Sequence, residues 1–303
     1  MLDSADNAYY AVLEASAALE AEEASLQAAV LGLSIAEVRQ QSGMINQGDY
    51  LKALADKETR ENSRNQARRN LSLNKTKFRN ITGINENIEP EQIDFSSYEK
   101  VIVHLAGISD EGAEKLFEAF WNILAKENPS LAKASLGNQR AEKNHTLTTR
   151  DLSPTISATI FSSDFNFLSS SGFNSSSYGG VSIRGSIPVD FWVLTNRMEK
   201  SAIARDSAAI DYINAVSSLE QDLRNALSNA YAQAGTVLSS RRTLEYTERH
   251  FAFVMERYRL GQGSVSDLSD ATSLFINSRN NLNRASYSFL QSLSRLRSLA
   301  PPR

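Results

Sequence analysis

Arg257-Tyr258-Arg259-Leu260-Gly261-Gln262-Gly263-Ser264, running on into Val265-Ser266-Asp267-Leu268-Ser269-Asp270, is a turn set between two long helical patterns. Upstream, from about Asp190 to Leu260, the chain has no Pro and no Gly except Gly235, and Leu219, Leu223, Leu227, Ala230, Ala234 and Leu238 form an apolar stripe. About 70 helical residues extend roughly 100 Å, far beyond an ordinary globular helix. Downstream, from about Val265 to Leu299, Leu268, Phe275, Leu282, Phe289 and Leu296 recur at strict sevens. Ala271, Ser278, Ala285 and Ser292 fill a second heptad column, which suits a tightly packed seam. The expected structure is a very long helical hairpin closed by the glycine turn.

The same pattern occurs a second time. Moving the chain 218 positions along itself places Gly43 on Gly261, Arg39 on Arg257, Asp49 on Asp267, Ala53 on Ala271 and Asn62 on Asn280. Around Gly43, residues 5–40 carry Val12, Leu19, Leu26 and Leu33 at sevens, and a strongly polar helix is expected over 49–80. Long helix, glycine turn and long helix thus form an internal repeat. The later copy also has a leading segment that starts at Asn128-Pro129, a stop and start signal for helices. The offset puts the matching start of the earlier copy about 90 residues before Met1, so the expectation is an incomplete first repeat. The opening Met1-Leu-Asp-Ser-Ala-Asp6 lacks the basic and apolar regions of a signal peptide, which leaves either a cytosolic protein or a true N-terminus elsewhere.

Between the two hairpins the character changes. Gly83, Pro90, the strand-like Val101-Ile-Val-His104 and the turn-like Ser109-Asp-Glu-Gly112 predict an irregular connector with some sheet. Helices are expected over 113–126 and 130–150. Two strand-like runs follow, Ser153 to Leu168 and Val181 to Val189, separated by a serine-rich segment that includes Ser169 to Ser177. In the second run Val181, Ile183, Ile187 and Val189 face one way and Ser182, Arg184 and Ser186 the other, the alternation of a two-faced strand. Such a strand fits a half-buried soluble sheet or a lipid-facing barrel wall. Phe191 and Trp192 sit at its end, as an interfacial aromatic belt or a core pair.

Composition sets the bounds. The 303 residues are 41% hydrophobic and 22% charged with net charge −3, which gives no reason to expect a nucleic-acid partner, and Arg64 to Arg69 reads as a solvated helix face. No run approaches the roughly 20 apolar residues of a membrane-spanning helix, so any crossing must use strands of a closed barrel. The chain has no cysteine and so no disulfide. His104, His145 and His250 are scattered without metal-ligand spacing, and no phosphate loop, nucleophile elbow or dinucleotide fingerprint is present. No catalytic constellation, metal or cofactor is expected.

Glu127-Asn-Pro-Ser-Leu131, Leu152-Ser-Pro-Thr155, Gly180-Val-Ser-Ile183 with Ile187-Pro-Val-Asp190, and Arg257 to Ser264 leading into Asp267-Leu-Ser-Asp-Ala-Thr272 occur in order along the chain. Duplicated units of Asn-Pro helix, strand pair, long helix, glycine turn and returning helix resemble the outer-membrane efflux proteins of the TolC family. The resemblance covers essentially the whole chain. It implies a mainly α fold: long antiparallel helices in an α-barrel, with a β-hairpin contributing to a transmembrane β-barrel. The corresponding division is 1–81 as the hairpin of the first repeat, 82–127 as a connector, and 128–303 as a complete second repeat with strands over about 153–190 and helices over 191–299.

The resemblance further implies a homotrimer in the outer membrane, its helices reaching into the periplasm, working with a periplasmic adaptor and an inner-membrane pump as a passive gated conduit for efflux or type I secretion. The turns Gly43 to Asn46 and Gly261 to Ser264, with Gly263 between the latter, are the implied docking tips. Asp267 and Asp270 are the implied gate carboxylates; Asp49 is retained in the first repeat, but Lys52 stands where a second acid would be. Three subunits give carboxylate rings that attract cations. Acids at a helix N-terminus are also favourable without any gate. Two rival readings are a soluble coiled-coil scaffold or periplasmic adaptor, and a nonfunctional channel fragment, since one strand pair per subunit gives six strands where the family has twelve.

Overall fold

The computed structural model describes residues 2–84, 91, 93–150, 155–162, 179–186 and 191–299. Helices dominate: α1 (Leu2–Gln41), α2 (Gln47–Thr82), α3 (Glu99–Ala106), α4 (Asp110–Glu127), α5 (Pro129–Arg150), α6 (Phe191–Arg259) and α7 (Val265–Leu299), with strands β1 (Thr155–Ser162) and β2 (Gly179–Ser186) before α6. Two compact units divide them, Met1–Asn128 with Glu220–Arg303, and Pro129–Leu219.

In the first unit the hairpin α1–α2 packs through α1 against α7. From Ala21 to Ala36 the buried seam of α1 is built of small side chains, Ala21, Ser25, Ala29, Gly32 and Ala36, at spacings of four, four, three and four. Leu19, Leu26 and Leu33 are half-buried at its flank. Small residues at i, i+4 and i+3 occupy one face of a helix and let a neighbouring backbone approach closely. On α7 the expected columns form the core: Leu268, Ala271, Ser278, Ala285, Phe289 and Leu296 are buried, and Phe275, Leu282 and Ser292 half-buried. Charged pairs lie on the rim of the α1–α7 contact, with Arg279 2.8 Å from Glu20 and Arg284 3.5 Å from Glu14.

The connector is helical where sheet was expected. Val101 to His104 belong to α3, whose single buried residue, Ile102, packs among Ala234, Val237, Ala285 and Phe289 of α6 and α7. Val101 and Val103 are left exposed. The β-branched run favours strand locally, but among the described residues no strand pairs with it, and the apolar contact of Ile102 against two helices is what it makes instead. Ser109 to Gly112 also form no loop. Ser109 is the N-cap of α4, its hydroxyl accepting the Gly112 N–H, and helix begins at Asp110. Phe117 and Leu124 of α4 bury against Leu223, Ala226, Leu227, Ala230 and Leu296. Arg224 closes this contact, lying 3.9 Å above the Phe117 ring and pairing with Glu114.

The second unit contains α5, the strands and α6 as far as Leu219. β1 and β2 pair antiparallel, with Ser157 opposite Arg184, Ala158 opposite Ile183, Thr159 opposite Ser182 and Ile160 opposite Val181. Alternation puts Ile156, Ala158, Ile160, Val181 and Ile183 on one face and Ser157, Thr159, Ser182 and Arg184 on the other. The expected positions Ile187 and Val189 and the serine-rich segment lie outside the described residues. Among the described residues no helix is long and apolar enough to cross a membrane.

Candidate functional site

The two glycine turns are built alike, bond for bond. At the end of α1, Gly43 adopts φ 71°, its N–H donates to the Gln40 carbonyl (2.9 Å) and that of Met44 to Arg39 (2.8 Å). At the end of α6, Gly261 adopts φ 80°, its N–H donates to Tyr258 (3.1 Å) and that of Gln262 to Arg257 (2.8 Å). This is the Schellman arrangement, in which a left-handed residue lets the chain satisfy the last helical carbonyls. Each of these backbone donors and acceptors reappears 218 residues later, so the repeat seen in sequence is a repeat of backbone hydrogen bonding.

The returning helices are capped differently. Asn46 accepts the Asp49 N–H at 2.9 Å. Ser264 accepts the Asp267 N–H, and the Asp267 carboxylate accepts the Ser264 N–H, both at 3.1 Å. That reciprocal pair is a capping box. The Ser264 backbone N–H, and then its hydroxyl, hold the Asp267 carboxyl below the usual carboxylate range. Asp270, one turn on, is exposed, as is Asp267. In the first repeat Asp49 instead lies 3.8 Å from the Lys52 ammonium, so the local charge there is balanced.

Contacts across the repeats bring the turns together. Arg39 reaches from α1 to the Gly263 carbonyl (3.4 Å) and the Gly261 carbonyl (3.5 Å), with its guanidinium 5.3 Å from the centre of the Tyr258 ring. Tyr258 is fully buried, and its hydroxyl donates to the Gly32 carbonyl at 3.2 Å. Burial pushes the phenol above its ordinary range, so it remains a donor at neutral pH. A second bridge joins α2 to α7: Arg60 donates to the Ser273 hydroxyl (2.7 Å) and the Ser269 carbonyl (3.2 Å), while the Ser269 hydroxyl donates to Asp56 (2.7 Å). Beside the second turn, His250, Phe253, Arg257, Gly263, Asp267 and Asp270 line an open groove of about 330 Å³.

The sequence places Gly43, Asn46, Gly261, Gly263 and Ser264 in the two turns and Asp49, Asp267 and Asp270 just past them, and one unit contains them all. Arg39, Asp56, Arg60 and Tyr258 had no assigned part. Arg39 carried one signal, its match to Arg257 under the repeat offset. Phe191 and Trp192 begin α6 in the other unit, with Trp192 79% exposed. Among the described residues no acidic or histidine cluster could hold a metal ion.

The family model for outer membrane efflux proteins matches residues 122–300, more than half of the chain. The chain belongs to that family. As an outer membrane efflux protein it carries the fold of solved outer-membrane channels. It is 15% identical to the Campylobacter jejuni outer membrane channel CmeC, with a TM-score of 0.73 over 98% of this chain and 61% of that one. For the outer membrane protein VceC of Vibrio cholerae the identity is 17% and the TM-score 0.75, over 98% and 69%. For the Neisseria gonorrhoeae channel MtrE in its open state they are 16% and 0.64, over 98% and 66%. The efflux protein thus spans about two thirds of the length of these channels. No curated protein sequence matches it.

Proposed function

We propose that this efflux protein is a subunit of a homotrimeric, passive, gated export conduit of a tripartite efflux or type I secretion system. A periplasmic adaptor would dock at the turns Gly43–Asn46 and Gly261–Ser264, and an inner-membrane pump would supply the energy. The observation that carries this reading is the exposed apolar face of the strand pair. Ile156, Ile160, Val181 and Ile183 are 77%, 81%, 67% and 73% exposed on one side of a two-stranded sheet. Two strands alone are at best marginally stable in water, and a face of four large aliphatic residues calls for a cover. In a closed barrel, lipid covers that face and water meets the other. A soluble scaffold or adaptor gives the apolar face no such environment.

The remaining assignments follow from it. Trp192, exposed directly after the strands, suits the membrane interface together with Phe191. Asp267 and Asp270, exposed and without the neutralising lysine of the first repeat, would form cation-attracting rings in a trimer. The division into a first-repeat hairpin over 1–81, a connector over 82–127 and a second repeat over 128–303 belongs to the same reading.

The test is a pair of substitutions on adjacent residues that face opposite ways, in the protein expressed from its native locus. Ile160→Lys puts a charge on the lipid side, which costs about 2–4 kcal/mol near mid-depth, and should deplete the assembled protein from outer-membrane fractions at least tenfold. Thr159→Lys should leave it there. Equal behaviour of the two would overturn the barrel assignment.

A further inference from the structure

We propose that Arg184 lies in the water-filled lumen of the strand barrel and makes it attractive to anions, so that acidic groups of exported solutes are favoured there; this rests on the barrel reading above. Arg184 is the one charged residue in β1 and β2. The pairing fixes its side: it stands opposite Ser157, whose hydroxyl donates to the Arg184 carbonyl at 3.3 Å, and shares its face with Thr159 and Ser182. Ile156, Ala158, Ile160, Val181 and Ile183 occupy the other face. The side chain is exposed, and among the described residues no carboxylate pairs with it.

A strand residue has two choices in a barrel, and the apolar residues of the opposite face mark the lipid side, where a guanidinium is disfavoured to a degree set by its depth. Register therefore directs Arg184 to water. In an assembly each subunit contributes one such cation at the same level, and rings of arginine or lysine are how pores select anions. The planar guanidinium also offers two parallel donors to a carboxylate or phosphate. Its sign is opposite to that of Asp267 and Asp270, so the two groups would sort solutes by different charges.

The experiment measures reversal potentials of the protein, purified from its native membrane, in planar bilayers under a KCl gradient. With 0.01 M salt the Debye length is about 30 Å, so a ring of three charges is felt across the lumen. Arg184→Gln should lower the ratio of anion to cation permeability about threefold or more, and Arg184→Glu further. Arg184→Lys should retain the wild-type ratio. Ser182→Glu, which sets a carboxylate beside an intact Arg184 on the same face, should mimic the loss and guards against a misassembled Arg184 variant. At 1 M salt, where the Debye length is about 3 Å, the differences should vanish. A conducting channel whose selectivity at low salt ignores Arg184→Gln, Arg184→Glu and Ser182→Glu overturns the inference alone. A protein that never conducts overturns the barrel reading and the ring with it.

Discussion

Gly43, Gly261 and Gly235 pose one question three times: what does adding a single methyl group do when only the backbone angle differs? A Cβ built on any of the three meets no heavy atom within 4 Å, so packing drops out. Gly235 lies inside α6 with ordinary helical geometry, whereas Gly43 and Gly261 hold φ near 71° and 80°. Alanine in a helix interior is favoured over glycine by about 0.5–1 kcal/mol, so Gly235→Ala should stabilise by that amount. In the left-handed region a Cβ costs about 1–2 kcal/mol. Alanine also restricts the unfolded chain, which returns about 0.4–1 kcal/mol. The net effect of Gly43→Ala or Gly261→Ala is a loss of about 1 kcal/mol, and the two classes differ by about 2 kcal/mol, close to thirtyfold in the folding equilibrium. Thermal melts followed by circular dichroism should shift by about 2 °C upward for Gly235→Ala and about 2 °C downward for either turn variant. If Gly261→Ala and Gly235→Ala move the midpoint in the same direction, the assignment of Gly261 as a backbone-determined helix stop is wrong.

Three further outcomes follow from the turns. Tyr258→Phe removes only the hydroxyl bonded to Gly32 and should cost about 1 kcal/mol in denaturant midpoints, while Tyr258→Ala empties a fully buried site and should cost about 3–5 kcal/mol. The Asp267 carboxyl has its folded pKa depressed, so its contribution to stability is complete above the unfolded value of about 4 and is lost as pH falls through the lower folded value. Melting curves taken below pH 4 should therefore be less steeply acid-dependent for Asp267→Ala than for wild type, and identical slopes would count against the capping box. Replacing both Asp267 and Asp270 with Asn, which keeps an acceptor for the Ser264 N–H, should weaken cation preference in bilayer recordings without a loss of folded protein; unchanged selectivity would sink the gate assignment.

The parts of the fold that were legible in sequence are those whose cause is local. The heptad columns from Leu268 to Leu296 predicted α7 to its ends, and alternation around Val181 and Ile183 predicted a two-faced strand. The Gly43–Gly261 offset predicted paired turns because a left-handed helix stop leaves a glycine in the sequence. Val101 to His104 misled because β propensity is local while the deciding contact, Ile102 on Ala234, Val237 and Phe289, comes from residues more than 130 positions away. The cross-repeat bridges were hidden for the same reason. Arg39 meets Gly261 and Gly263 across 222 and 224 residues, and Arg60 meets Ser269 and Ser273 across 209 and 213. Nothing in a run of polar residues on α2 distinguishes an arginine that bridges to α7 from one that faces water.

The small-residue seam of α1 constrains how this hairpin can change length. Each residue of an α-helix turns the chain by 100°, so deleting one between Ala21 and Ala36 would swing every later member of the seam away from its neighbour. Removing seven residues from α1 and the facing seven from α2, with the matching seven from α6 and α7 so that Arg39 keeps Gly261 and Gly263, brings the faces back to within about 20° and shortens both hairpins by about 10 Å. Descendants of this sequence can therefore lengthen or shorten the hairpin readily only in steps that close on whole turns, such as about seven or eleven residues, and its length behaves as a counted quantity rather than a continuous one.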